Sequence, residues 1–417
     1  MAYAMIPSVF LMDLASNGAS DIIDTQANLL AFLKVYLSGG TNPDGFNYPG
    51  FFPQTNADLR GGDWSVAWGP CVYASVSPGS ATNAMYVAYS PSLQTYVVGI
   101  AATNPISLFD WIFEDGNVDP HFMALWPPKL PFVPRWSTNP IPTTTPAISA
   151  ATATGISDLL TRPEMRDPNA GFLPDFLKSR TNANATLIFA GHSLAGALSP
   201  TLAFYLYPTP QTSGWKDVLV LPSAGATPGN QGFAAAFAAA FAQKADPTSS
   251  WFWNIDYANN RDVVPHAWDK LAQVIEGKDP AGNYPSIWGV LQGGTVSVGG
   301  SVSFAVKAAS LLADNYYTAI PQSWVTPNWG TFSSGNYPPA WVPLPTYTDA
   351  APLATVSQLA QVLEATHVNQ YFNYFGVVPP PPMNKAPLKT VTPEIAVRGL
   401  APATTGAVVA AGLSGAS

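Results

Sequence analysis

Charge is scarce in this chain. Of 417 residues, 17 are Lys or Arg and 25 are Asp or Glu, so charged side chains make up 10% and the net charge is −8. Soluble domains usually carry about 25%. With no basic surplus to neutralise phosphates, nucleic-acid binding is disfavoured, and no nucleic-acid partner is expected. Cysteine is almost missing: Cys71 alone cannot close an intrachain disulfide or build a cysteine metal site. Four histidines are too few to favour a site of several imidazoles, so no metal site of that kind is expected. The opening Met-Ala-Tyr-Ala-Met-Ile-Pro lacks the basic and long apolar regions of an export signal. The apolar stretch 291–313 is broken by Gly293, Gly294, Gly299, Gly300 and Lys307, so no transmembrane segment is expected. No internal repeat at periods of about 20–50 residues is found.

What the chain has instead is apolar bulk, 47% of residues, with 42 Pro and 33 Gly. That is too apolar for disorder and too broken for a coiled coil or helical solenoid. Residues 22–37 carry a helix-like apolar run. Strands are expected at Met85–Tyr89, Tyr96–Ala101, Thr186–Ala190, Val218–Leu221 and Trp251–Ala258. Between the last three lie two helical patterns, Leu194–Leu206 with a Leu194, Leu198, Leu202, Leu206 stripe, and Gln231–Lys244 with Phe233, Phe237 and Phe241 at core spacing. Helix returns over Val356–Phe375. Alternating strand and helix predicts an α/β fold with a central, mostly parallel sheet and helices on both faces. Residues 1–84 read as a helix-and-loop extension packed on the core. The main domain spans 85–400, with Pro/Trp-rich insertions at about 112–150 and 268–350, and 401–417 is a flexible tail.

One string in this frame carries chemistry. Thr186–Ala190 runs into Gly191-His192-Ser193-Leu194-Ala195-Gly196 and then the leucine-striped helix. A buried strand, a tight turn with Ser at its apex and a helix are the setting in which a serine is presented as a nucleophile above a sheet. The pattern is short, and Gly412-Leu413-Ser414-Gly415-Ala416 matches it too. That second copy has no strand before it, no helix after it and no later histidine, so context selects Ser193.

A serine nucleophile needs a base, and the base needs an acid to orient it. On sheets of this kind the chain order is serine, acid, histidine. His121 precedes the serine and His192 is locked beside it. His266 leaves little room for an acid before it, so His367 is the expected base. Asp262 lies just past the end of the strand Trp251–Ala258, where open α/β sheets place their working loops, and is the expected acid. Asp256, its rival, falls inside the strand and reads as structural. The oxyanion hole requires two N–H donors, assigned to Leu194 after the nucleophile and Thr103 after the strand Tyr96–Ala101.

Together these residues resemble the class 3 (fungal-type) triacylglycerol lipase family of the α/β-hydrolase superfamily. The similar segments are Tyr96–Thr103 with Asp110-Trp111, the elbow Gly191-His192-Ser193-Leu194, Gly225-Ala226-Thr227-Pro228-Gly229-Asn230 with Phe233-Ala234, Asp262-Val263-Val264-Pro265, and His367 ahead of Tyr371-Phe372. The chain departs from the pattern at Ala101-Ala102 and at Ala195. The resemblance implies an α/β-hydrolase fold and hydrolysis of carboxylic esters through an acyl-enzyme, with no cofactor.

After the oxyanion strand, such a family commonly carries a lid. Here that position holds His121-Phe-Met-Ala-Leu-Trp126 through Phe132 to Trp136. Trp126 and Phe132, with His192 beside the nucleophile, are the expected substrate-contacting residues, and the segment is either a lid or a strap packed on the core. Three readings follow: a lipase acting on triacylglycerols at an oil–water interface in lipid degradation, a soluble carboxylesterase for short-chain, aromatic or polyester substrates, or a catalytically silent lipid-binding protein. Low Lys and Arg content favours a secreted, extracellular protein over a cytoplasmic one. The oligomeric state is not encoded in any pattern found.

Overall fold

The computed structural model describes residues 2–20, 22–102, 118–259, 262, 264–269, 316–325 and 365–379. Among them the main sheet has seven strands: β1 (Ser65–Tyr73), β2 (Asn83–Ser90), β3 (Thr95–Ala102), β4 (Thr186–His192), β5 (Asp217–Ser223), β6 (Asp256–Asn259) and β7 (Gln322–Val325). They lie side by side in chain order. The pairs β1–β2 and β2–β3 are antiparallel, and every later pair is parallel. The helices are α1 (Met5–Ala15), α2 (Gln26–Ser38), α3 (Ala150–Thr161), α4 (Leu194–Leu206), α5 (Gln231–Ala240) and α6 (Gln370–Phe375).

This strand order decides where each helix goes. From β3 to β6 every connection moves one strand further in the same direction, and right-handed crossovers then place all the connecting helices on one face. That face holds α3, α4 and α5, packed on Val98, Ile100, Leu187, Phe189, Val218 and Val220. Alternate residues of the same strands, Val97, Ala101, Ile188, Ala190, Leu219 and Leu221, point to the other face. From β3 to β6 no crossover covers that side. It is closed by α1 and α2 from the N-terminus and by Tyr371, Phe372 and Phe375 of α6. The Phe233, Phe237, Phe241 stripe is fully buried in the first core, where each ring contributes about 1.5–3 kcal/mol by leaving water.

The first 84 residues are therefore built into the main sheet and its second core. Strand β1 forms the sheet edge, with its register shifted around Trp68 and Cys71 where Gly69 takes a positive φ of 74°. The irregularity removes the alternation by which a strand is read from sequence. Helix α1 was not expected either: it is buried on nearly all sides, so its sequence has no polar face to set a period.

The expected strand Trp251–Ala258 is split. Phe252–Trp253 pairs with Lys244–Ala245 in a two-stranded ribbon, and β6 starts only at Asp256. The break is at Asn254, in the left-handed region at φ 68°. Its N–H donates to the Val220 carbonyl at 2.9 Å, and its side-chain oxygen accepts from Val220 N–H at 3.0 Å. The same ribbon ends α5 at Ala240 rather than Lys244.

Expectations for Thr103, Asp110, Trp111, the helical pattern before 365, most of the 268–350 insertion, Ser414 and the tail 401–417 lie outside the described residues.

Candidate active site

Strand β4 delivers the chain into a sharp turn and α4 carries it away. Ser193 at the apex has φ 65° and ψ −129°, a conformation that costs a non-glycine residue about 1–3 kcal/mol unless its surroundings enforce it. They do so here by close approach. A Cβ on Gly191 would collide with the Ala195 backbone, and one on Gly196 would lie 2.6 Å from Gly225 Cα. The tight contact with the next strand's loop is thus made at Gly196. Ala195 is buried in the core, which explains how the fifth position of the elbow carries a methyl. Ser193 N–H donates to Ser223 O at 3.0 Å, tying the turn to the end of β5. Leu194 is the first residue of α4, so its N–H has no partner inside the helix and stands at the positive end of the helix dipole.

The loops that carry Asp262 and His367 meet beside this turn. Asp262 is fully buried, and its Oδ2 accepts from His367 Nδ1 at 2.7 Å. Its Oδ1 accepts from Val264 N–H at 3.0 Å. Tyr371 donates to Asp262 Oδ2 at 3.2 Å while its oxygen accepts from Asn259 N–H at 2.8 Å. Burial, then the Asp262 and Asp256 carboxylates, push the Tyr371 hydroxyl well up, so it stays a donor. Asn259 Nδ2 donates to Thr366 O at 2.8 Å, stitching the end of β6 to the π-helical turn Ala365–Asn369 that holds His367. With Nδ1 donating to a carboxylate, His367 presents Nε2 as an acceptor. That atom is buried and has no hydrogen-bond partner among the described residues.

His192 sits between the end of β5 and the loop that holds His367. Its ring lies 4.8 Å from that of His367, centroid to centroid, and both of its nitrogens contact protein: Nδ1 to Ser223 Oγ at 2.9 Å, Nε2 to the His367 carbonyl at 2.7 Å. It was expected to touch substrate. It is buried, with Nε2 bonded to the loop that holds His367 and Nδ1 to the end of β5. Burial, then the nearby His367, hold its pKa well below the usual histidine value.

Trp126 stacks on Phe204 of α4 and packs edge-on to Phe233 of α5, with ring centroids 4.9 Å away in each case. Phe132 is half-buried on the same core, and its N–H donates to Ser157 Oγ of α3 at 2.9 Å. The segment also forms a ribbon, Ala124–Leu125 against Ala147–Ile148. Over its described part, 118–149, the segment expected to be a lid or strap packs on the helical face. Trp136 is exposed and stacked on His121 at 4.5 Å.

Asp256 lies inside β6 as expected, with Oδ1 accepting from Gly225 N–H and Oδ2 from Gln322 Nε2, both at 3.1 Å. Burial raises its pKa to about 7 against those two hydrogen bonds, with the Asp262 charge adding to the rise. Sequence reasoning missed Asn259 and Ser223, and it used Tyr371 only as part of a motif. Tyr371 is four residues after His367, one helical turn on, and that spacing was the available signal. Among the described residues no cluster of three or more His, Cys, Asp or Glu is placed to hold a metal, and no helix is long and apolar enough to cross a membrane.

No family model matches the chain, and no curated protein sequence matches it. Among solved structures it is similar to the crystal structure of M37 lipase, with a TM-score of 0.57 and 21% identity over 90% of this chain and 93% of that one. Lower similarities are found to lipase II from Rhizopus niveus (TM-score 0.34, 14% identity, 62% of this chain and 73% of that one). Rhizomucor miehei triacylglyceride lipase gives a TM-score of 0.31 and 18% identity over 49% of this chain and 61% of that one. A mixed seven-stranded sheet with helices on both faces, a strand–turn–helix at Ser193 and a near full-length match to M37 lipase lead to one conclusion: the chain has the α/β-hydrolase fold.

Proposed function

We propose that this protein is a serine ester hydrolase of the class 3 lipase family, with triacylglycerols as its substrates. The observation that carries the reading is the buried 2.7 Å hydrogen bond from His367 to Asp262, with His367 Nε2 left as an open acceptor next to the strained Ser193 turn. Its support includes the similarity to M37 lipase, a protein named for lipase activity.

In this mechanism Ser193 Oγ attacks the ester carbonyl carbon while its proton passes to His367 Nε2. Asp262 holds the ring in the tautomer that can accept that proton and stabilises the imidazolium that results. The carbonyl oxygen becomes an oxyanion facing the N–H groups of Leu194 and Thr103. The intermediate collapses, the alkoxide leaves with the proton from His367, and an acyl-serine remains. Water, deprotonated by His367, then releases the carboxylic acid and restores the serine.

The strap supports a second reading, a soluble carboxylesterase for short-chain, aromatic or polyester substrates, because its described residues are bonded to α3 and packed on α4 and α5. The low content of Lys and Arg supports a secreted enzyme in either case. Hydrolysis rates for esters of increasing chain length, measured below and above the concentration at which each forms droplets, separate the two. A triacylglycerol lipase gains rate as droplets form; equal or falling rates on droplets, with preference for soluble short chains, give the carboxylesterase. No hydrolysis by wild type, or full activity in Ser193→Ala, contradicts both.

A further inference from the structure

We propose that His192 is a positioning residue for the catalytic base: its Nε2–H holds the main chain of His367, fixing the base loop against the nucleophile turn. The proposal rests on the reading of Ser193, His367 and Asp262 given above.

The hydrogen positions follow from chemistry. A carbonyl only accepts, so the 2.7 Å contact between His192 Nε2 and His367 O requires the hydrogen on Nε2. A neutral imidazole has one N–H, so Nδ1 carries the lone pair and accepts from Ser223 Oγ–H at 2.9 Å. Burial favours this neutral form. The ring is also walled in, with Phe10 of α1 edge-on at 6.0 Å and Tyr371 of α6 edge-on at 5.1 Å. Its two polar contacts end on Ser223, which also bonds the Ser193 N–H, and on the backbone of His367.

These contacts complete a frame that Asp262 cannot supply alone. Asp262 fixes the His367 ring at one atom, Nδ1, which leaves the ring free to pivot if the backbone beneath it shifts. The His192 bond fixes that backbone, 175 residues away in sequence. Ser223 joins the two sides: its carbonyl accepts from Ser193 N–H at 3.0 Å, and its hydroxyl donates to His192. Nucleophile and base are thereby set from one point at the end of β5. A misplacement of about 1 Å at such a site can cost about 100-fold in rate, so holding the backbone of the base matters to turnover rather than to binding.

The test compares His192→Gln, His192→Asn and His192→Phe. Gln can return an N–H to the Nε2 position, Asn matches only the Nδ1 side, and Phe keeps the ring volume without either polar atom. Ester hydrolysis is measured as kcat per serine titrated with a fluorophosphonate, so that unfolded protein does not count. We expect kcat per titrated serine to fall about 10- to 100-fold in His192→Asn and His192→Phe with KM within about twofold, and His192→Gln to recover most of the loss. A purely structural role would lower the titratable fraction and the melting temperature in all three while leaving kcat per titrated serine unchanged, and that result overturns the proposal. If His192→Phe does not fold, the Asn and Gln pair decides: equal kcat in the two overturns it. Wild type that titrates no serine at position 193 overturns the triad reading itself and this inference with it, whereas a labelled wild type with equal Asn and Gln variants overturns the inference alone.

Discussion

Asp256 gives a stability effect whose size can be worked out in advance. Its carboxyl is buried in β6, hydrogen-bonded to Gly225 N–H and Gln322 Nε2, and its pKa stands at about 7 against an ordinary 3.8. A folded-state pKa above the unfolded value means that the folded chain holds the proton more tightly. Stability from this group is therefore full below pH 3.8 and is lost as pH rises toward 7. At about 1.36 kcal/mol per pH unit the complete loss is about 4 kcal/mol. Integrated only from pH 5 to pH 8, it is about 2.5 kcal/mol. Asp256→Asn removes the titration and keeps the geometry: the amide oxygen accepts from Gly225, and the amide nitrogen donates to Gln322 once that side chain turns its oxygen inward. Denaturant unfolding of both proteins at pH 5 and pH 8 measures the difference, and contributions from all other groups cancel between them. The gain of the variant over wild type should grow by about 2.5 kcal/mol, or roughly 3 °C in melting temperature for a cooperative unit of this size. Parallel curves at the two pH values would refute the assignment of a raised, buried carboxyl at Asp256.

Three further outcomes follow from the same structure. Burial also pushes the Asp13 carboxyl in α1 well above its usual range, so Asp13→Asn should gain melting temperature over wild type increasingly as pH rises above about 4, with no gain at lower pH. Tyr371→Phe removes the acceptor of the Asn259 N–H bond and a donor to Asp262; unfolding should show a loss of about 1–3 kcal/mol, and ester turnover should drop. Gly196→Ala forces a methyl onto Gly225 and should abolish hydrolysis or folding, whereas Ala195→Gly should cost only about 1 kcal/mol of stability for a glycine in a helix and leave Ser193 reactive.

The parts of this protein readable from its sequence are those encoded over short distances. The turn at Ser193 and helix α4 were legible because strand, glycine and leucine stripe lie within about twenty residues of one another, and α4 runs Leu194–Leu206 as its pattern indicates. Strand β1 was not, because its shifted register around Trp68 and Cys71 breaks the alternation, nor was α1, whose sides are nearly all buried. The split of 251–258 depends on Asn254 bonding Val220 in a neighbouring strand, which no local pattern carries. The apolar strap was recognisable as a cover, but only the packing of Trp126 on Phe204 and Phe233 tells which surface it covers. His192 is the sharpest case. Its place beside the serine suggested substrate, while its chemistry is set by a carbonyl far along the chain.

The central claim is that Ser193 is a nucleophile activated by His367 and Asp262. It is tested most directly by treating the protein with a fluorophosphonate and locating the adduct by mass spectrometry of its peptides. One phosphonyl group should be found, on Ser193, in wild type, with none in Ser193→Ala and labelling slowed at least about 100-fold in His367→Ala. An adduct on another serine, or equal labelling of wild type and Ser193→Ala, would contradict it.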